Sequence, residues 1–345
     1  MLALSGEDLR ALVPMRDAIA AVREAFIALS AGRAVIPVRT AVAVPGGEAV
    51  FLAMPGAVEG PAAAAAGQVM VAGVPVLGAK LVSVFPRNRA AGAPVIQAVV
   101  LLFDGTDGRP LALMEGATLT ALRTGAATGV ATDLLALPDA GIVALFGAGV
   151  QARTQIEAVC TVRSVTQIRV VEPSPERAEG FAAWARDQAW VRGATVLVVA
   201  DPELAVRGAE IIVTATTSPT PVFPGRAVGP GTHVNAIGAF QPTTREVDSD
   251  LVTRAAIFVD SRAAALEEAG DLLIPMREGR LAAEGIRAEI GEVAAGGPGR
   301  RRQDEVTLFK SVGNAAQDLA VAALAVRRAQ ASGRGVGIAL GGGGQ

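Results

Sequence analysis

Residues 14 to 31 read PMRDAIAAVREAFIALSA, and Ile19, Val22, Phe26 and Leu29 recur on one helical face. The spacing predicts an amphipathic helix, which Gly32 stops. The pattern then shifts to short apolar runs. AVIPVRTAVAV and AVFLAMPG read as two strands of a hairpin around PGGE. VPVLGAKLVSVF and PVIQAVVLLF read as further strands, and DGTDGRP is a turn leading into LALME. Residues 1 to 115 thus predict a helix followed by mostly antiparallel strands.

GATLTALRTGAATGVATDLLAL is a helix of small residues ending near Pro138. Beyond it, strands alternate with helices. Strands are expected at 141–146, 167–171, 195–200, 210–215, 232–237 and 256–260, with helices from about 150, at 175–188 and at 202–208. Ser174 before Pro175 and Asp201 before Pro202 each pair a helix cap with a first-turn proline. Such alternation predicts a parallel sheet with crossover helices. A glycine-rich polar loop at 294–303 precedes a short strand, VTLF, and an amphipathic helix at about 312–330. The tail GGGGQ is expected to be disordered.

Within this pattern LFGAGVQARTQIEAV carries the first chemical signal. Gly147, Gly149 and Ala152 spell G-x-G-x-x-A between a strand and a helix. Gly147 allows the tight turn, Gly149 lets the backbone approach a pyrophosphate, and Ala152 lets the helix pack closely. Glu172 ends the next strand, where a carboxylate binds ribose hydroxyls and repels a 2′-phosphate, favouring NAD over NADP. Arg177 could relax that preference and leaves NADP(H) open.

Composition narrows the partners. The chain has 345 residues, enough for two domains, with 31 basic against 33 acidic residues, so it lacks the basic excess of a nucleic-acid binder. One cysteine, Cys160, excludes an internal disulfide, one histidine, His233, excludes a multi-histidine zinc site, and the lack of tyrosine excludes a tyrosine proton donor. The N-terminus does not read as a signal peptide. Residues 62–79 are uncharged, but Gly67, Gly73, Pro75 and Gly78 spoil them as a membrane helix and favour a loop entering a strand. A cytoplasmic protein with no membrane partner is expected.

Arg39, Lys80 and Arg123 each sit in a largely apolar stretch without acidic partners nearby in sequence. Buried cations need compensation, and an anionic ligand would supply it. Arginine suits bidentate carboxylate binding, and a desolvated lysine can enter the range of acid–base work. The alternative is that Arg39 snorkels at a strand edge, Arg123 pairs on its helix and Lys80 is exposed. His233 reads as a neutral turn histidine and Cys160 as a small core residue. Lys310 is either near cofactor phosphate or ribose, or at the surface.

GAKLVSVFP, MEGATLTALRTGAATGVATDLLA, FGAGVQARTQIEA, GTHVNAIGAFQPTTREVD, ALEEAGDLL and VTLFKSVGNAAQDLA together resemble the ornithine cyclodeaminase/mu-crystallin family. The resemblance covers nearly the whole chain. It implies a homodimer with an α/β fold: a Rossmann NAD(P)-binding domain at 123–305, and an α+β substrate-binding and dimerisation domain from 1–122 and 306–345. By motif, Arg39, Lys80 and Arg123 correspond to carboxylate-binding and catalytic cations, with Lys80 and Arg123 in the catalytic role. Thr124, Gly147, Gly149, Val150, Gln151 and Glu172 fall in dinucleotide-contact motifs. Thr214, Ala215 and Thr216 would line the cofactor groove, and Ser311 would approach the nicotinamide.

One departure bears on the substrate. In the cyclodeaminases and related alanine dehydrogenases an aspartate follows the NAxG motif, and here Phe240 stands in its place. Cyclodeamination moves several protons. Reduction of a cyclic imine needs a carboxylate clamp, a hydride and one proton. The resemblance therefore implies NAD(P)H-dependent reduction of a cyclic α-imino acid, such as 1-pyrroline-2-carboxylate or 1-piperideine-2-carboxylate, with Phe240 as an apolar wall for the ring. The rivals are ornithine cyclodeaminase or an amino-acid dehydrogenase, with Asp248 or Asp271 replacing the aspartate, and a mu-crystallin-like small-ligand binding protein.

Overall fold

The computed structural model describes residues 1–59, 75–191 and 193–339. The alanine-rich insertion, most of the loop expected at 62–79 and the glycine tail lie outside the described residues. In chain order the first elements are β1 (Leu2–Leu4), α1 (Gly6–Leu12), α2 (Met15–Ser30), β2 (Ala34–Val35), β3 (Thr40–Ala43), β4 (Val50–Val58), β5 (Val76–Val84), β6 (Ile96–Asp104), β7 (Pro110–Glu115) and α3 (Gly116–Leu135). Then come β8 (Ile142–Phe146), α4 (Val150–Val162), β9 (Gln167–Val171), α5 (Pro175–Arg186), β10 (Thr195–Val198), α6 (Pro202–Val206), β11 (Ile211–Thr214) and β12 (His233–Ala236). The chain continues through α7 (Ser249–Arg254), β13 (Ala256–Val259), α8 (Arg262–Glu268), α9 (Gly270–Arg277), β14 (Ile286–Glu289), α10 (Ile290–Ala294), β15 (Thr307–Lys310), α11 (Ala315–Ser332) and β16 (Val336–Gly337).

Two compact units result. One comprises Met1–Arg123 with Asn314–Gln345, the other Thr124–Gly313. The first contains a sheet ordered β16-β1-β7-β6-β5-β4-β2, with β3 also on β4. It is antiparallel except where β1 runs parallel to β7. Met54, Lys80, Val100 and Met114 are cross-strand neighbours in one row, and all four are buried. Because side chains alternate between faces, the adjacent pair Gly56 and Gly78 shares this face.

Those two glycines let α11 press onto the sheet. A Cβ on Gly56 would lie 3.1 Å from the Ala315 methyl, and one on Gly78 would lie 2.8 Å from Leu319 Cδ2 and 2.2 Å from the Leu101 carbonyl. Gly78→Ala is therefore expected to destabilise the protein by about 1–3 kcal/mol, the usual cost of overpacking. A lowered urea midpoint checks this, and an unchanged midpoint would show that the helix does not need the close approach.

The second unit is the parallel sheet that the alternation predicts, ordered β10-β9-β8-β11-β12-β15-β13-β14 with every pairing parallel. Successive strands run outward from β8 to β10, then the chain returns to the other side of β8 with β11. The order reverses between β8 and β11, and the crevice beyond the carboxyl ends of such strands is where ligands bind in open α/β sheets. Core side chains such as Val143, Leu145, Ile156 and Val170 fill one face of this sheet, and Ile212, Val234, Ile257 and Leu308 the other.

Three sequence expectations shift. Thr307–Lys310, grouped with the returning helix, is β15 between β12 and β13, so the unit boundary falls at 313 instead of 305. A strand of four buried residues can complete a sheet far from its neighbours in sequence, which local pattern does not reveal. β14 is an addition: its residues alternate buried and half-buried, but a run of four residues is too short for that period to stand out in the sequence. AVIPVRTAVAV is two strands, with Arg39 in the segment between β2 and β3, where Pro37 has no N–H to offer a ladder.

Candidate active site and dinucleotide turn

Lys80 projects from the buried row of β5 toward α11. Its Nζ lies 2.9 and 3.1 Å from the two carboxylate oxygens of Asp318. Arg123, in α3, donates its Nε–H to Asp318 Oδ1 at 3.0 Å and an Nη1–H to Gln317 Oε1 at 2.8 Å. The cluster is almost dry, with Lys80 3% and Arg123 7% exposed. Burial pulls the Lys80 pKa down to about 8; Asp318 opposes that fall, while the positive charges of Arg123 and Arg39 add to it. Arg39 thus joins the electrostatic cluster although it is only half-buried.

Here the exposed Lys80 of the alternative reading is corrected. The acid that sequence proximity failed to supply is Asp318, delivered by α11 from 238 residues away. It stands in FKSVGNAAQDLA, a stretch recognised as a motif but not as part of the cation set. Lys80 and Arg123 share one carboxylate, so a further anion is a natural complement. Lysine in such a place can exchange a proton near neutral pH.

The second unit builds the glycine turn as its sequence requires. Gly147 adopts φ +98°, and a Cβ there would come within 2.6 Å of the Ala215 carbonyl, so no side chain fits. Gly149 caps the 13-residue α4 without a side-chain hydrogen bond, and a Cβ on it would meet nothing within 4 Å. Val150 is 70% exposed beside it. Gln151 Oε1 is a sheltered acceptor with no partner among the described residues. Free first-turn N–H groups, an open glycine and a positive helix end fit a pyrophosphate.

Glu172 follows β9, and its carboxylate accepts the Ala148 N–H at 3.1 Å and pairs with Arg177 at 3.3 Å. The acid expected at the ribose is therefore also tied to the glycine turn. Thr214 and Thr216 donate their hydroxyls to Glu246 at 2.8 and 2.7 Å, with Ala215 half-buried between them. Glu246 was missed by sequence reading. It is fully buried and also accepts N–H groups of Thr216, Gly238 and Ala239, so it pins the segments after β11 and β12. Burial, reinforced by Asp271, raises its pKa. Thr124 is buried in α3, and Ser311 is buried and donates to Asp260 at 2.7 Å. Phe240 follows the Glu246-bound loop and is 40% exposed.

Other assignments change. Lys310 is neither at the surface nor free for a phosphate: it is fully buried and paired with Asp271 at 2.7 Å. Asp271 also accepts the N–H groups of Glu246 and Val247. Asp248 caps α7 and accepts from Gly225 and Leu251. Neither aspartate is free to replace the one missing at Phe240. His233 lies in β12 instead of a turn, bonded to Thr307 and Asn235, and burial pushes its pKa down to about 3, so it is neutral. Burial likewise raises the Cys160 thiol to about 12 and leaves it unreactive. No helix among the described residues is long and apolar enough to cross a membrane.

Comparison with known proteins agrees with this geometry. The family model for "Ornithine cyclodeaminase/mu-crystallin family" matches residues 2–333. A Delta(1)-pyrroline-2-carboxylate reductase of Bacillus cereus is 38% identical over 337 residues, 97% of this chain and 98% of that protein. The structure of Thermococcus litoralis Delta(1)-pyrroline-2-carboxylate reductase with NADH and L-proline superposes with a TM-score of 0.88 at 39% identity, covering 98% of this chain and 100% of that one. An archaeal alanine dehydrogenase dimer with bound NAD also gives 0.88, at 32% identity and 99% coverage of both chains. The chain belongs to the ornithine cyclodeaminase/mu-crystallin family.

Proposed function

We propose that this protein is an NAD(P)H-dependent reductase of cyclic α-imino acids, with 1-pyrroline-2-carboxylate and 1-piperideine-2-carboxylate as substrates. The observation that carries the reading is the buried Lys80, brought to a pKa of about 8 among Arg123, Arg39 and Asp318. Arg39 and Arg123 bind the substrate carboxylate and fix the ring. Bound at the glycine turn, a reduced nicotinamide would supply the hydride that the imine carbon accepts. As the C=N π bond opens, Lys80 delivers one proton to nitrogen, giving the cyclic amino acid and the oxidised cofactor. Phe240 walls the ring. The reaction needs no further acid, which accords with the engagement of Asp248 and Asp271 elsewhere. The named activity of the Bacillus cereus and Thermococcus litoralis relatives supports the same chemistry.

Gly147, Gly149, Val150 and Gln151 hold the pyrophosphate end of the cofactor, with Thr124, Thr214, Ala215, Thr216 and Ser311 along the rest of its site. Glu172 favours NADH, because a 2′-phosphate would bring negative charge to a carboxylate. The first unit serves substrate binding and dimerisation. Val42 and Phe51 are cross-strand neighbours and, with Val99, leave an apolar patch on the sheet face away from α11. A second copy covers it, as the dimeric alanine dehydrogenase relative suggests. A cytoplasmic setting suits a single, unreactive cysteine.

Loss of NADH absorbance with either imino acid tests the reading. No turnover of both, or ammonia release from L-ornithine with NAD, would overturn it. Glu172→Gln is expected to raise the NADPH-to-NADH ratio of kcat/KM by roughly 10-fold, the effect of about 1.4 kcal/mol of relieved repulsion. An unchanged ratio would remove Glu172 from coenzyme choice.

A further inference from the structure

Asn314 opens α11, and its Oδ1 accepts the Ala316 N–H at 3.1 Å as the helix cap. That bond commits the carbonyl end of the amide. The other end, Nδ2, is sheltered from solvent and donates to nothing among the described residues, in a side chain only 5% exposed. Buried donors are nearly always satisfied, so an unpaired one at this depth calls for an acceptor. Its place says which kind. Gln317 and Asp318, three and four residues on, occupy the next turn of the helix, and they hold Arg123 and Lys80. Ala315, beside Asn314, sits against Gly56 of β4. The amide therefore stands about one turn from the cation cluster, at the positive end of an 18-residue helix.

We propose that Asn314 is a substrate-binding residue whose Nδ2–H groups donate to the carboxylate of the cyclic imino acid, alongside the arginines. This rests on the function proposed above for the identity of the ligand. Lys80 and Arg123 already exceed the single negative charge of Asp318 that they share. A neutral amide adds a directed donor for the carboxylate without adding another cation to a dry site. Its two hydrogens match an acceptor with several lone pairs.

Asn314→Ser and Asn314→Asp test it, because serine and aspartate both cap helices well and keep the start of α11. With the thermal midpoint held, Asn314→Ser is expected to raise KM for the imino acid and Kd for L-proline by about 10-fold or more, with KM for NADH unchanged. Asn314→Asp should raise both further, since a carboxylate would face a carboxylate. If the imino-acid KM and proline Kd stay at the wild-type values, the amide is served by water and the proposal fails. It also fails if only the NADH KM rises. Calorimetric binding of pyrrole-2-carboxylate, a planar analogue that needs no turnover, separates the two readings. Weaker binding by Asn314→Ser than by an imine-inactive wild type would uphold Asn314 and reject the activity. Absence of any carboxylate binding by the wild type would reject both.

Discussion

Lys80→Met is expected to lower kcat for imino-acid reduction by roughly 10²–10⁴-fold, the range spanned by losing a positioned proton donor. Methionine keeps much of the stem and its packing while removing the charge and the proton. The pH profile gives the sharper check. With a pKa near 8, Lys80 is the protonated donor below that pH and loses the proton above it. Wild-type reduction should therefore fall as pH rises through about 8, whereas oxidation of the cyclic amino acid, which needs the free amine as base, should rise through the same value. Lys80→Met should abolish both limbs. A variant that kept wild-type kcat, or kept the limb near 8, would take the proton transfer away from Lys80.

Asp318→Asn should produce the largest loss of stability of any change at the site. One carboxylate bridges Lys80 and Arg123 at 2.9 to 3.1 Å in a nearly dry setting. Removing one partner of a buried pair costs about 3–5 kcal/mol, because the other charge is left without compensation. Asparagine can still accept one hydrogen bond but cannot balance either cation. For a unit of this size the thermal midpoint should fall on the order of 10 °C. The same change should move the falling limb of reduction to lower pH: Asp318 is the influence that holds the Lys80 pKa up, so its loss favours the neutral amine. Added L-proline should recover part of the lost midpoint by returning a negative charge to the cluster. An unchanged midpoint together with an unmoved limb would show that Asp318 does not govern Lys80.

The cofactor turn was legible because everything it needs is local. A strand, two glycines, a helix and an acid one strand later occur within a short stretch, and each acts on its neighbours in sequence. Gly147 with its left-handed backbone and the uncapped start of α4 follow directly from that spelling. Lys80 and Arg123 were legible as suspicious cations in apolar stretches. Their shared partner was not, because Asp318 looks like any polar residue of an amphipathic helix until α11 is laid on the sheet. Lys310 is illegible for the same reason: its carboxylate, Asp271, belongs to a helix, α9, 39 residues before this strand residue, a gap no local pattern spans. The strand around His233 was legible at 232–237; what the sequence does not show is that this histidine begins the strand fully buried, held by Thr307 from β15.

By itself the sequence determined the class of fold, the dinucleotide turn, the family and the list of unusual cations. These depend on period, on turn chemistry and on residues close together along the chain. Tertiary structure alone decided how the cations are held. The paired glycines Gly56 and Gly78 admit α11 close enough for one carboxylate to hold Lys80 and Arg123. Burial among neighbouring charges then lowers the lysine to the working range of a proton donor. Desolvation and distance set that value, and both are properties of how distant segments pack.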